Sequence, residues 1–312
     1  MDRNAISRID DSMFRLDKKR HNRFEYRYQV PGYLMLLPTF IILTIFVIIP
    51  LVMAIFRAFQ DYPDKTFIGF DNFISLFSSQ YFVKSFGNVM IMAVAATILT
   101  VLTSFIFALA LKSLNNRLSK VAKVIIYVPT FISGVAITIM FGLITRYSGG
   151  LITSILSSMN LDPINFTDNV FLARVSIVIP SVWVAFGGNT LIMYAGLINI
   201  PNSYYEAASI DGANAWVKLW RITIPSMKNY FLLQLVSLMT ANIQMLDLPL
   251  LITGGGPLNE TLTPTLYIYN IYSSPSFSPN IAIAGALVIM VLIGSVNWII
   301  FRLVSSRRSE DA

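Results

Sequence analysis

The chain of 312 residues is 55% hydrophobic and only 12% charged, with a mean hydropathy of +0.66; soluble domains carry about 25% charged residues, so the composition implies an integral membrane protein. With no cysteine and a single histidine, His21, disulfide frameworks, thiolate nucleophiles and zinc sites are excluded. The formal charge of +7 does not point to nucleic acid, because most of the cations flank apolar runs, where positive charge sets topology.

In chain order, residues 1–31 hold eight Lys/Arg and no apolar run. They are neither a membrane span nor the short basic start of a signal peptide, and read as a cytosolic tail. The run 33–56 is long enough, at about 1.5 Å per residue, to cross a hydrocarbon core of about 30 Å, and no small-residue cleavage site follows it. It is expected to stay as an anchor. Residues 57–85, punctuated by Pro63, Gly69 and Asp71-Asn72, form an outside loop with room for a short surface helix.

A second span over 86–111 ends at Lys112, and the stretch from there to Lys120 carries three cations and no acid, which marks an inside loop. The third span, 121–145, contains Pro129 and Gly134; a second outside loop with Gly149-Gly150 and Asp162-Pro163 follows. The fourth, 171–200, contains Pro180 and Gly187-Gly188. A helix weakened twice within one span is a candidate wall of a transport pathway, although membrane helices also tolerate such residues. A fifth span over 230–252 leads to Thr253-Gly254-Gly255-Gly256-Pro257 and a loop without Lys or Arg, and a sixth over 281–304 ends with Arg302, Arg307 and Arg308. Eighteen of the 23 Lys/Arg fall in the segments assigned to the inside, so both termini are expected in the cytosol. The domain reading is a tail over 1–31, a transmembrane domain of six helices over 32–305, and a C-terminal tail over 306–312.

Between spans four and five lies a polar insert, 201–229. Ser203-Tyr204-Tyr205-Glu206 has the form of a capping box, which predicts a helix with Ser203 as its N-cap and Glu206 at its third position. Ala207 and Ala208 continue it, and Gly212 ends it where a left-handed residue is easiest. A second short helix over 214–223 would place Trp216, Leu219, Trp220 and Thr223 on one face, packed beneath the spans or at the lipid interface, and Pro225 would stop it. Both helices are shorter than the 12–15 or so residues an isolated helix needs in water. They therefore require something to dock against.

The spacing Glu206-Ala207-Ala208, Gly212, Ile222 and Pro225 resembles the EAA loop of permease subunits of binding-protein-dependent ABC importers. Three further stretches resemble the carbohydrate branch, with a permease fold like that of the maltose transporter. These are Leu37-Pro38 with Phe46 and Pro50; Gly69-Phe70-Asp71-Asn72-Phe73; and Leu251-Ile252 through Pro257, continued by Thr263 and Tyr267-Ile268-Tyr269. The last is similar to the subunit type that pairs with a second, different permease subunit.

The resemblance implies an all-α membrane protein of the type I ABC importer permease fold in a bacterial cell membrane. Its cytosolic coupling helix would seat in an ATPase dimer through Glu206, Ala207, Ala208, Asp211, Gly212, Ile222 and Pro225. No glycine-rich phosphate loop occurs in the chain, so ATP and Mg²⁺ would belong to that partner and this chain would bind no cofactor and be no enzyme. An extracytoplasmic solute-binding protein would deliver a carbohydrate, expected to be an oligosaccharide. Asn242, Gln244, Ser181 and Gly188 match polar or sugar-contacting positions of the relative, although Gly188 stands where the relative has an aromatic residue. Asp247, an acid in an apolar span, is either a buried structural acceptor, the reading its position favours, or a substrate-facing group. Trp183 and Tyr194 read equally as wall residues and as lipid-facing or packing residues.

Two alternatives remain. One keeps the ABC architecture with a non-sugar solute. The other, an ion-coupled secondary transporter, predicts internal repeats and paired intramembrane charges, and neither is visible in the sequence.

Overall fold

The computed structural model describes residues 33–274 and 278–305. The basic N-terminal segment with His21, and Arg307 and Arg308 at the other end, lie outside them. Among the described residues the chain is all-helical, with a single antiparallel bridge between Gln60 and Phe67 as its β-type contact. It divides into two compact units, Met1–Arg57 and Ala58–Ala312.

The described part of the first unit belongs to a helix, α1, which runs Tyr33–Ala58, its last residue counting with the second unit, and carries apolar side chains around its whole circumference, as a lipid-facing helix does. Within it Thr44–Ile48 forms a π-turn, and the Ile49 N–H bonds the Thr44 carbonyl. Pro50 explains the widening, because its ring would crowd the carbonyl four residues back in a regular α-helix.

The second unit begins with α2 (Asp71–Ser78) and α3 (Gln80–Ser113). The short surface helix expected in the first loop is α2. It is held by Asn72, whose Nδ2 donates to the Gln60 carbonyl at 3.0 Å, and Asn280 donates to the same carbonyl at 2.9 Å. Phe59, Phe70 and Phe73 pack ring to ring beside it, with centroids 5.3–5.9 Å apart. The second span starts earlier than the apolar run suggested, because Ser79 caps α3 by accepting from the Phe82 N–H.

The third expected span is not continuous. It consists of α4 (Asn116–Tyr127), a 3₁₀ turn Val128–Phe131 and α5 (Gly134–Thr145), with a bend of 93° between the two arms. Pro129 supplies no N–H and tightens the turn, and Ser133 accepts from Ala136 N to start a new helix. After α6 (Leu151–Ser158), α7 runs unbroken over Val170–Ile198 straight through the buried Pro180. The weakened fourth span is thus corrected. Gly187 is required by packing: a Cβ there would collide with the Ile126 carbonyl, so the pair marks where the α4 backbone crosses α7.

Beyond the insert, α10 (Lys228–Ile243) stops at Gln244, and the chain resumes through a π-turn, Pro249–Thr253, ended by Gly254 at φ +60°. The fifth span expected over 230–252 is therefore also two pieces. Sixteen residues of α10 rise only about 24 Å, short of a bilayer core of about 30 Å. The last helices are α11 (Pro264–Tyr272) and α12 (Pro279–Ser305). Among the described residues four helices, α1, α3, α7 and α12, are long and apolar enough to cross a membrane, or five spans result if the bent α4–α5 pair counts as one.

Helices α3 and α7 form the principal pair, and Val101, Ala108, Met193, Leu197, Met227 and Leu238 build one core cluster around them and α10. In lipid, whose tails are as apolar as leucine, there is no hydrophobic driving force between helices, so close van der Waals packing and interhelical hydrogen bonds hold them together. Ser104 Oγ donates to the Phe186 carbonyl (3.2 Å), Gln234 Nε2 to the Asn189 carbonyl (2.6 Å), and Asn297 Nδ2 to Thr240 Oγ1 (2.7 Å).

Candidate functional site

The 201–229 insert follows the C-terminal end of α7, beside the end of α3 that carries Lys112. Its first helix, α8, spans Asn202–Ile210 and begins after Pro201 with no side-chain cap. The capping box expected from Ser203 and Glu206 does not form: Pro201 holds the N-cap position instead, two residues earlier. The C-terminus follows the expectation. Gly212 takes φ +76°, its N–H donates to Ser209 O (3.1 Å) and Ala213 N–H donates to Ala208 O (2.8 Å). This pair of bonds is the Schellman closure, which satisfies the last carbonyls of α8 and turns the chain.

Asn214 then caps α9 (Ala215–Lys218) by accepting from Val217 N at 2.9 Å. A π-turn, Leu219–Thr223, and a last helical turn, Ile224–Ser226, continue it, so Pro225 follows the wide turn and the break comes at Met227. The π-turn also shifts the expected face: Thr223 is buried, while Trp216 and Trp220 are 69% and 61% exposed. The indoles therefore do not pack beneath the described spans.

The two short helices support each other from inside the turn. Tyr205 OH and Thr223 Oγ1 lie 3.0 Å apart, Lys218 Nζ donates to Ser209 Oγ at 2.6 Å, and the Lys112 ammonium sits 4.7 Å from the centre of the Tyr205 ring while donating to the Leu197 carbonyl. Ile222 is half-buried against the core cluster of α3, α7 and α10. The other face of α8 is free: Glu206, Ala207, Asp211 and Gly212 are exposed and Ala208 half-buried. Ile210, at 86% exposure, is the residue that sequence reasoning passed over, although it lies three positions after Ala207 and hence on the same face.

Among the described residues no hydrogen bond joins the expected substrate residues to one another. Asn242 is buried and donates from Nδ2 to Thr97 Oγ1 at 3.1 Å. Gln244 lies at the break after α10, exposed, and lines a cavity of about 370 Å³ with Thr265, Ala286, Ile289, Met290 and Ile293. On α7, Ser181 Oγ donates back to the Val178 carbonyl, and Gly188 lies beside the Tyr127 ring. Asp247 is exposed, with a carboxylate oxygen 3.6 Å from where a Cβ of Gly134 would stand. The buried-acceptor reading of Asp247 is therefore corrected: the breaks at Ser133 and Gln244 bring two irregular backbones together there. Trp183 meets Phe141 edge to face (5.6 Å) and lines an apolar cavity of about 300 Å³, and Tyr194 lies under the Lys123 ammonium at 3.7 Å.

At the opposite end of α3 and α7 the loop through Gly254-Gly255-Gly256-Pro257 is fastened by groups that the sequence reading did not single out. Glu260 bridges Lys84 on α3 (2.7 Å) and Arg174 on α7 (2.8 Å). Arg174 also donates to Asn88 Oδ1 (3.1 Å) and the Glu260 carbonyl (3.2 Å). The hydrogen bond from Lys84 holds the Glu260 carboxyl below the usual carboxylate range against some desolvation, and the positive charges of Lys84 and Arg174 add to it. The available signal was a lone acid in a loop without cations, facing lone cations near the starts of two apolar helices.

Over residues 100–309 the chain matches the family of binding-protein-dependent transport system inner membrane components, and it belongs to that family. The trehalose/maltose transport system permease protein MalF of Thermococcus litoralis is 30% identical over 284 residues, 89% of this chain and 95% of the relative. The lactose transport system permease protein LacF of Rhizobium radiobacter is 29% identical over 85% of this chain and 92% of its own. The sn-glycerol-3-phosphate transport system permease protein UgpA of Escherichia coli O157:H7 is 30% identical over 88% and 94%. Among solved structures, a bacterial ABC transporter involved in the import of the acidic polysaccharide alginate superposes with a TM-score of 0.77 at 24% identity, over 91% of this chain and 98% of that one. The fold is that of a type I ABC importer permease, and the chain is a transport subunit rather than an enzyme.

Proposed function

We propose that this chain is one of two different permease subunits of an ATP-driven importer, and that it forms with its partner the membrane path of a carbohydrate delivered by a solute-binding protein. Six traverses follow if α1, α3, the bent α4–α5 pair, α7, α10 with its continuation, and α12 each cross once. Both termini are then cytosolic, and so is the 201–229 insert. The observation that carries the reading is the insert itself. It is tied to its own bundle through Tyr205, Lys112 and Ile222, yet leaves Glu206, Ala207 and Ile210 exposed on a helix of nine residues and Asp211 exposed at its end. Such a face needs a partner, and an ATPase dimer that closes on ATP supplies one. ATP and Mg²⁺ belong to that dimer, and no cofactor is assigned to this chain.

Carbohydrate cargo is supported by relatives named for trehalose, maltose and lactose. A second reading, a small polyol phosphate or another osmolyte, is favoured by relatives named for sn-glycerol-3-phosphate and for osmoprotective compounds. Reconstitution with the second permease subunit, the ATPase and the binding protein tests both. Uptake of radiolabelled disaccharides is expected, and Gly212→Pro should abolish substrate-stimulated ATP hydrolysis, since proline can neither adopt φ +76° nor donate to Ser209. Unchanged stimulation in that variant would sink the coupling role.

A further inference from the structure

A hollow of about 700 Å³ opens at the Lys84–Glu260 end of the molecule, between the α2–α3 junction, the 254–262 loop and α11. It lies within the 300–1,000 Å³ or so of small-molecule sites. Its lining includes Ser75, Tyr81, Asn259, Tyr267 and Asn270, and no charged side chain. Among the described residues the side chains of these five make no hydrogen bond within the chain, while Ser78 and Ser79 nearby are engaged with the backbone. The free groups comprise hydroxyls that both donate and accept and amides that offer two donors and an acceptor each.

One wall is held under strain. Leu258 and Asn259 are consecutive non-glycine residues in the left-handed region, at φ +50° and +59°, a costly pairing that persists only where the surroundings enforce it. Lys84 Nζ bonds the Leu258 carbonyl (3.1 Å) and Asn88 Nδ2 the Asn259 carbonyl (2.7 Å). The clamp thus fixes Asn259 at the rim of the hollow. The opposite wall carries Tyr267, packed on Phe82 with ring centroids 5.3 Å apart, which orients one aromatic ring in the lining.

We infer that this hollow is an extracytoplasmic subsite for a neutral carbohydrate, which holds one or more sugar residues between release from the binding protein and entry between the spans. Neutral hydroxyl-rich ligands match uncharged donors and acceptors in fixed positions, and the apolar C–H faces of a pyranose match an oriented tyrosine ring. A carboxylate or phosphate ligand would find no cation in the lining. The inference rests on the carbohydrate reading above, and the experiment separates the two.

The complete transporter in lipid nanodiscs is assayed for uptake of maltose, trehalose and lactose with the wild type, Asn270→Asp, Ser75→Trp and Tyr267→Ala. Asn270 and Ser75 are exposed, so the first two variants report on the hollow even if loss of the Tyr267 packing impairs folding. For a transported sugar, each exposed-site variant is expected to lower uptake at limiting sugar at least fivefold, with ATP hydrolysis stimulated by sugar-free binding protein unchanged. Sugar uptake equal to wild type in both would overturn the subsite and leave the carbohydrate reading standing. Weakened docking of the binding protein, equally with and without sugar, would overturn it in favour of a protein contact. Absence of uptake of any sugar by the wild type would overturn the carbohydrate reading and the subsite with it.

Discussion

The two ends of the α3–α7 pair solve opposite problems with loops of similar polarity. At one end, the 254–263 loop is satisfied from within: Glu260 meets two cations, Thr261 Oγ1 donates to Gly256 O and shares a contact with Thr253 Oγ1, and Thr263 caps α11. At the other, the 201–229 insert is satisfied on one side only. Its internal ties, Tyr205 to Thr223 and Lys218 to Ser209, position α8 and leave an isoleucine and two tryptophans exposed. The first construction fixes a backbone. The second leaves a surface exposed, which the proposed coupling role assigns to another protein.

The sharpest way to break this contrast is Ile210→Asp. The side chain is 86% exposed and makes no described tie, so the isolated chain should keep its stability within about 0.5 kcal/mol. In the assembled transporter, a charge on the free face should lower substrate-stimulated ATP hydrolysis at least tenfold, equivalent to about 1.4 kcal/mol of docking energy. Equal hydrolysis would mean that α8 is not the face a partner completes.

At the clamped end the expected effect is on the chain itself. Arg174→Met removes an ion pair together with hydrogen bonds to Asn88 Oδ1 and the Glu260 carbonyl. Hydrogen bonds to charged groups contribute about 1.5–3 kcal/mol when buried, but Arg174 and Glu260 are partly exposed, which screens the pair. A loss of about 1–2 kcal/mol is expected, read as a lower melting temperature and faster amide exchange over 255–262. Exchange unchanged in that segment would show that the loop is held by its own turns.

Why the sequence made one end legible and not the other follows from the residues involved. Glu206 to Gly212 form a contiguous segment, and its helix, its left-handed stop and its isolation between apolar runs are all local properties. Glu260, Lys84 and Arg174 are separated by 86 residues or more, and nothing local says that they meet. The same limit governs the spans. Hydropathy located the apolar segments but not their breaks, because Pro180 and Pro129 are alike in sequence. What distinguishes them is that Ser133 and Gly134 restart a helix after Pro129, whereas α7 continues unbroken past Pro180 to where the α4 backbone approaches Gly187. Four of the expected lining residues, Asn242, Gln244, Ser181 and Gly188, were assigned by resemblance to a relative, one position at a time, and Asp247 as an acid in an apolar span. Once the fifth span breaks at Gln244, Asn242 and Gln244 turn to different neighbours.

A smaller effect probes the internal ties of the insert. Lys218→Met removes an exposed bond to Ser209, of a kind worth about 0–1 kcal/mol. Coupled ATP hydrolysis should therefore change less than twofold, since Tyr205, Thr223 and Lys112 still hold α8. A larger drop would assign Lys218 a role in the docking face itself.

The smallest effect, and the most specific to the clamp, is its response to acid. Lys84, first through its hydrogen bond and then with Arg174 through charge, lowers the Glu260 carboxyl in the folded chain from its ordinary value of 4.5. A carboxyl lowered by folding contributes stability that is fully present above the unfolded value and is lost as the pH falls through the folded one. Between pH 7 and about 5 the loop should accordingly be unaffected, and its protection should decline only below 4.5. Amide exchange over 255–262, compared at each pH between wild type and Glu260→Gln so that intrinsic exchange cancels, isolates this contribution: the two should differ at neutral pH and converge in acid. Curves that stay parallel throughout would mean that the carboxylate charge does not hold the loop, and the clamp would then rest on Asn88 and the threonines alone.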